Sequence, residues 1–186
     1  MILNKGDGNK IYEQTRRLES IRIQIFHRSP PRIRGLAYIL FCHEFKQTYG
    51  IFRYYNQPYI ETQPANTADG HKVGFQAKYY DAGTQMSSKE QDLKDAIKGA
   101  KNKYAGIDRI IFYINKEFSA SNAKDKDKPK HQLRIEKYGK NLGIEIQWRG
   151  QSHIEKMLAE EEELKIRKKI CISMQKTELT GFTKTS

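Results

Sequence analysis

The chain has 186 residues, enough for one domain with its own core, and its 34 Lys and Arg against 22 Asp and Glu give a formal charge of +12. That balance points to a polyanionic partner, nucleic acid ahead of an anionic membrane surface. The opening MILNKGDGNK lacks an apolar secretory core and no run of about 18 apolar residues occurs, so a soluble, cytoplasmic protein with no membrane partner is expected; Cys42 and Cys171 stand outside any CxxC or Cys/His cluster, which argues against a zinc site or a disulfide scaffold.

Residues 10–26 space Ile11, Leu18, Ile21 and Ile25 at helical intervals with charges between them, which predicts an amphipathic helix that HRSPPRIRG then breaks. LAYILFCHEFKQTY, residues 36–49, is apolar on most sides and predicts a largely buried helix, with Gly50 at its C-cap and Cys42 in its core. IFRYYNQ and PYIETQ are rich in aromatic and β-branched residues and read as two strands, Pro58 lying at a break or an edge. Tyr54 and Tyr55 could stack on bases, although aromatic strand residues usually serve a core.

GFQAKYYD, residues 74–81, predicts a third strand with an unusual feature. Phe75, Ala77 and Tyr79 share one face, while Gln76 and Lys78 project together from the other. Asp69-Gly70 predicts a two-residue hairpin turn between the second and third strands, with His71 as a simple turn residue. Such a turn puts Glu61 opposite Lys78 and Gln63 opposite Gln76, so a carboxylate joins the amide and the amine.

Ser87 or Ser88, followed three residues later by Glu90 or Gln91, predicts a capping box opening a basic crossover helix. IDRIIFYIN, residues 107–115, is a nearly continuous apolar run suited to a strand buried on both faces, so a parallel βαβ unit and an α/β fold with a mixed sheet are expected. SASNAKDKDKPK reads as a solvated loop, PKHQLRIEKYGKNLG as a helix capped at Gly143, and IEIQW as a last strand. SHIEKMLAEEEELKIRKK then begins a final helix at a Ser cap, and SMQKTELTGFTKTS has little to bury. The five histidines show no metal-ligand spacing, and neither GxSxG nor a P-loop is present.

This order of elements, with an acid on the second strand and a polar-x-Lys triplet on the third, resembles the PD-(D/E)XK restriction-endonuclease fold. IETQP…DGHKVGFQAKYY is similar to its Mrr-like branch and to the N-terminal nuclease domains of bacterial antiviral STAND-type proteins, over roughly residues 30–155. The resemblance implies a restriction-endonuclease-like core of mixed sheet flanked by helices, in the order αα-βββ-α-β-α-β-α. It divides the chain into an N-terminal helix (1–30), the nuclease domain (31–160) and a helical extension (161–186) leading towards further domains through which the protein would oligomerise.

The resemblance further implies phosphodiester hydrolysis, DNA ahead of RNA, as a defence effector. Glu61 and Gln76 would hold Mg²⁺ or Mn²⁺, and Lys78 would be the catalytic lysine. Relatives carry a helix glutamate where this chain has Ile39; Glu44 is the possible accessory, although helical phase turns it to a different face and it serves equally as a partner for a basic neighbour. The rival expectations are a nuclease-fold module that binds nucleic acid without cutting, and a protein-interaction domain.

Overall fold

A computed structural model describes residues 30–47, 58–118 and 128–159. Helix α1 (Pro30–Glu44) is followed by strands β1 (Ala65–Asn66) and β2 (Lys72–Lys78), then α2 (Glu90–Lys103), β3 (Arg109–Ile114), α3 (Lys130–Asn141), β4 (Glu145–Arg149) and α4 (Gln151–Ala159). One four-stranded mixed sheet runs in the order β1-β2-β3-β4; β1 is antiparallel to β2, and β2, β3 and β4 are parallel. The chain is therefore α/β, as its alternation of strand and helix patterns implied. The predicted helix 10–26, the strand IFRYYNQ with Tyr54 and Tyr55, and the tail beyond Ala159 lie outside the described residues.

The sheet separates two apolar layers. Val73, Phe75, Ala77, Ile111 and Tyr113 face α1 and α4, where Ile33, Leu36, Leu40, Phe41, Ile154 and Leu158 close the core. Ile110, Phe112 and Ile114 face α2 and α3, packing on Leu93, Ile97, Ala100 and Ile135. β3 is thus buried on both faces, which explains why its sequence is continuously apolar rather than alternating.

Several boundaries differ from the sequence reading. α1 starts earlier than predicted, because Pro30 and Pro31 fall in a first turn whose N–H groups have no intrahelical partner to lose. It also ends earlier: Lys46 takes the left-handed conformation (φ 50), and the Lys46 and Gln47 amides close back on the His43 and Cys42 carbonyls at 3.2 and 2.7 Å; Gly50, the expected cap, lies outside the described residues. Cys42 is buried as expected, and its burial pushes the thiol up.

No capping box forms ahead of α2. Residues 86–89 make a 3₁₀ turn in which the Ser88 hydroxyl donates to the Gln85 carbonyl, and Lys89 occupies the cap position without a side-chain bond. Gly143, at φ 69 just past α3, is where the sequence placed it. Among the described residues no helix is long and apolar enough to cross a membrane.

Candidate active site

Asp69-Gly70 does sit at a hairpin, but with a three-residue loop. The Gly70 amide donates to the Thr67 carbonyl (3.0 Å), Thr67 N–H donates to His71 O (2.9 Å), and of the loop residues only Gly70 takes a positive φ, of 83°. A type I turn completed by a left-handed glycine uses the same dipeptide as a two-residue turn, so the composition could not separate them. The consequence is a one-residue shift: Ala65 pairs with Val73 and Asn66 with Lys72. His71 lies just past the loop, its Nδ1 3.2 Å from Asp108 Oδ1.

PYIETQ is not a regular strand. Residues 58–63 form successive bends, with Tyr59 left-handed at φ 75, and the ladder resumes only at Ala65. The segment still lies along β2: Glu61 N–H donates to Phe75 O (2.8 Å), and the Glu61 carboxylate accepts from Ala77 N–H at 3.4 Å. Glu61 therefore meets the backbone between Gln76 and Lys78 instead of facing the Lys78 side chain. Arg34 of α1 reaches the same carboxylate from 3.8 Å.

Gln76 and Lys78 share a face, as the period of two requires, and that face is turned towards α2 and α3. The Gln76 side-chain oxygen is buried with no hydrogen-bond partner among the described residues, and so is the hydroxyl of Thr62, which follows Glu61. A buried acceptor without a donor costs about 1–3 kcal/mol, so such an oxygen is a natural place for a cation or a water.

The Lys78 ammonium contacts both carboxylate oxygens of Asp92, at 3.2 and 3.1 Å, in the first turn of α2. Tyr80 OH donates to the same carboxylate at 3.3 Å; burial, then the Asp92 charge, push its phenol well above the ordinary range, so it stays a donor. Asn115 at the end of β3 fixes the turn after Lys78, accepting from Tyr80 N–H (2.8 Å) and donating to Tyr80 O (2.9 Å). Asp92 and Asn115 carry no sequence signature here. Asp92 reads only as an acid complementing a helix N-terminus, and its contact with Lys78 exists only once α2 has crossed the sheet.

Glu44 lies on the other face. Tyr113 pairs with Arg149 across β3 and β4 on the α1 side, and Glu44 binds the Arg149 guanidinium and accepts from Tyr113 OH (3.1 Å). Lys78 pairs with Ile114, whose side chain points oppositely, so the sheet separates Glu44 from Gln76 and Lys78. Glu44 is thus the partner of a basic neighbour, the alternative its helical phase favoured. Ile39 is 7% exposed within the α1 core.

Among the described residues no three His, Cys, Asp or Glu side chains are grouped as for a metal ion. Glu61, Gln76 and Thr62 all carry hard oxygen donors, Glu61 beside Arg34 of α1 and Gln76 on the face turned towards α2 and α3. Their chemistry suits Mg²⁺ or Mn²⁺, which take few protein oxygens and fill the rest with water and phosphate. No protein-family model matches the chain, and no curated protein matches it.

Proposed function

We propose that the chain is a metal-dependent nuclease, a DNA endonuclease with a restriction-endonuclease-like core of the Mrr-like kind, serving as an effector of defence against phage. The observation that carries this reading is the seat of the Glu61 carboxylate against the backbone between Gln76 and Lys78, with the Gln76 oxygen buried and without a hydrogen-bond partner among the described residues. The formal charge of +12 supports a polyanionic substrate.

In this reading Glu61 and Gln76 hold Mg²⁺ or Mn²⁺, which when bound polarises the phosphate and lowers the pKa of an attacking water. Lys78 supplies a fixed positive charge where the phosphate becomes more negative in the transition state, and helps align the water. To do so its ammonium must leave Asp92, whose side chain is 50% exposed, for the substrate; an exchange of one anion for another costs little. Arg34, half-exposed beside Glu61, adds charge at the same edge.

A second reading is favoured by the same ion pair: a module that binds nucleic acid without cutting it, Lys78 being held by Asp92 and the cation site having one carboxylate. Incubation of the purified protein with supercoiled plasmid and Mg²⁺ or Mn²⁺, with a chelator control, decides between them. Metal-dependent nicking is expected; tight binding with no nicking under either metal would leave the second reading standing.

A further inference from the structure

β3 and β4 are parallel neighbours, yet the chain leaves their carboxyl ends in opposite directions: towards α3 on one face after β3, towards α4 on the other after β4. Where adjacent connections part in this way a crevice opens beyond the strand ends, the position at which open α/β sheets take ligands. A cleft of about 470 Å³ lies there, lined by Ile114 and Trp148 among others. That volume suits a small organic molecule. Glu61, Gln76 and Lys78 do not line it.

The walls are of two kinds. Trp148 stacks on Phe112 (centroids 5.1 Å apart, planes at 23°) and meets Phe118 edge-on at 4.7 Å, while its indole N–H donates to Glu136 at 2.9 Å, so the ring is held from three sides. The lining also includes His153 and Lys156 of α4, and Lys116 just past β3. His153 and Lys156 are three apart on one helix face. The Lys116 ammonium is bound to the carbonyls of Ala82 and Thr84, which makes it a fixed charge. Glu117, which also lines the cleft, accepts from Ser152 N–H and so caps α4 itself, which takes up the helix end.

We infer that this cleft is a nucleoside-phosphate site, distinct from the one proposed around Lys78: the base lies against the Trp148 and Phe118 walls, and the phosphate meets Lys156 and His153. The aromatic surface supplies stacking that every base can use, the Lys156 ammonium supplies charge-assisted hydrogen bonds to phosphate oxygens, and the His153 ring adds a hydrogen-bonding nitrogen. The same chemistry is presented by a free mononucleotide and by the 5′-phosphorylated end of a strand. The inference does not rest on the nuclease reading and holds whether or not the chain cuts.

Trp148 is the only tryptophan in the chain, so its emission reports on this cleft alone. The experiment titrates the full chain with AMP, adenosine, inorganic phosphate and a 5′-phosphorylated tetranucleotide, following fluorescence and, in parallel, titration heat. Saturable quenching by AMP is expected, with adenosine and phosphate each much weaker, and tighter binding of the tetranucleotide would identify a strand end as the source. Lys156→Ala should weaken AMP about tenfold or more, as losing a charge-assisted hydrogen bond does, with an unchanged thermal melt; His153→Ala gives an independent check. Absence of saturable binding by either AMP or the tetranucleotide in both readouts overturns the inference. So does adenosine binding as well as AMP, or AMP affinity unchanged in both variants.

Discussion

Lys78 stands at the end of β2 with two possible anions, the Asp92 carboxylate it holds and a substrate phosphate. Replacing it by Met keeps the aliphatic stem and much of the packing while removing one cation among 34. Affinity for DNA should therefore fall by less than about tenfold, whereas loss of a charge at the transition state costs about a hundredfold or more in rate. Asp92→Asn is the complementary change: it frees the ammonium by removing its partner's negative charge, so nicking should be retained or raised. Filter binding and plasmid nicking on both variants, with circular dichroism to confirm folding, provide the measurements. Wild-type nicking by Lys78→Met would remove the lysine from the chemistry.

At the scale of elements, the segment carrying Glu61 is seated by its neighbour Tyr59, whose ring lies over Gly99 of α2. A Cβ at Gly99 would fall within that ring. Gly99→Ala should gain about 0.5–1 kcal/mol of helix propensity, and the half-exposed Tyr59 can swing away, so stability to urea should hold or rise. Nicking should fall nonetheless, because Glu61 moves with the segment. Equal activity of Gly99→Ala and wild type would show that the bends at 58–63 position nothing.

The pairing of α2 with α3 has a pH signature. Glu90 is held down to about 2, first by its hydrogen bonds from Arg134 and then by that from Lys94. Because the folded value lies below that of an unfolded glutamate, near 4.3, the stabilisation is fully present above that value. It is lost as the pH falls through about 2. The difference in melting temperature between wild type and Glu90→Gln should accordingly be constant from neutral pH to about 5 and shrink below it; a gap that persists at pH 2 would assign the effect to packing.

The same elements show what a sequence can disclose. The apolar run of β3 and the glycine after α3 are local and were legible. The hairpin was legible as a turn but not in its loop length, and a one-residue slip reassigns every facing pair. Glu61 consequently meets the Ala77 amide and not Lys78. The pairing of Lys78 with Asp92, fourteen residues onward, depends on how a crossover helix lands, which no local pattern encodes.

For the whole molecule, the excess of positive charge is informative mainly where helix electrostatics do not account for it. Lys101 and Lys103 close α2 and Lys140 closes α3, where cations complement the carbonyl end of a helix. Both helices return from the carboxyl ends of the strands to their amino ends, so these lysines lie at the edge of the sheet away from Lys78. At the opposite edge, exposed Lys130 opens α3 with no acid in its first turn, and Lys89 precedes α2 with its ammonium 5.7 Å from the centre of the Tyr80 ring. Cations at helix starts oppose the dipole, so a polyanion at the Lys78 edge gives Lys130 a reason that stability does not, and adds to the one that Lys89 has in its contact with Tyr80. Binding that neutralises about five phosphates should show a log–log salt slope of −4 to −5. Lys89→Gln and Lys130→Gln should each reduce that slope by about 1, and Lys101→Gln should leave it nearly unchanged. A slope that responds equally to all three substitutions would mean that the charge acts diffusely, and a flat titration would exclude nucleic acid as the partner and leave the protein-interaction reading.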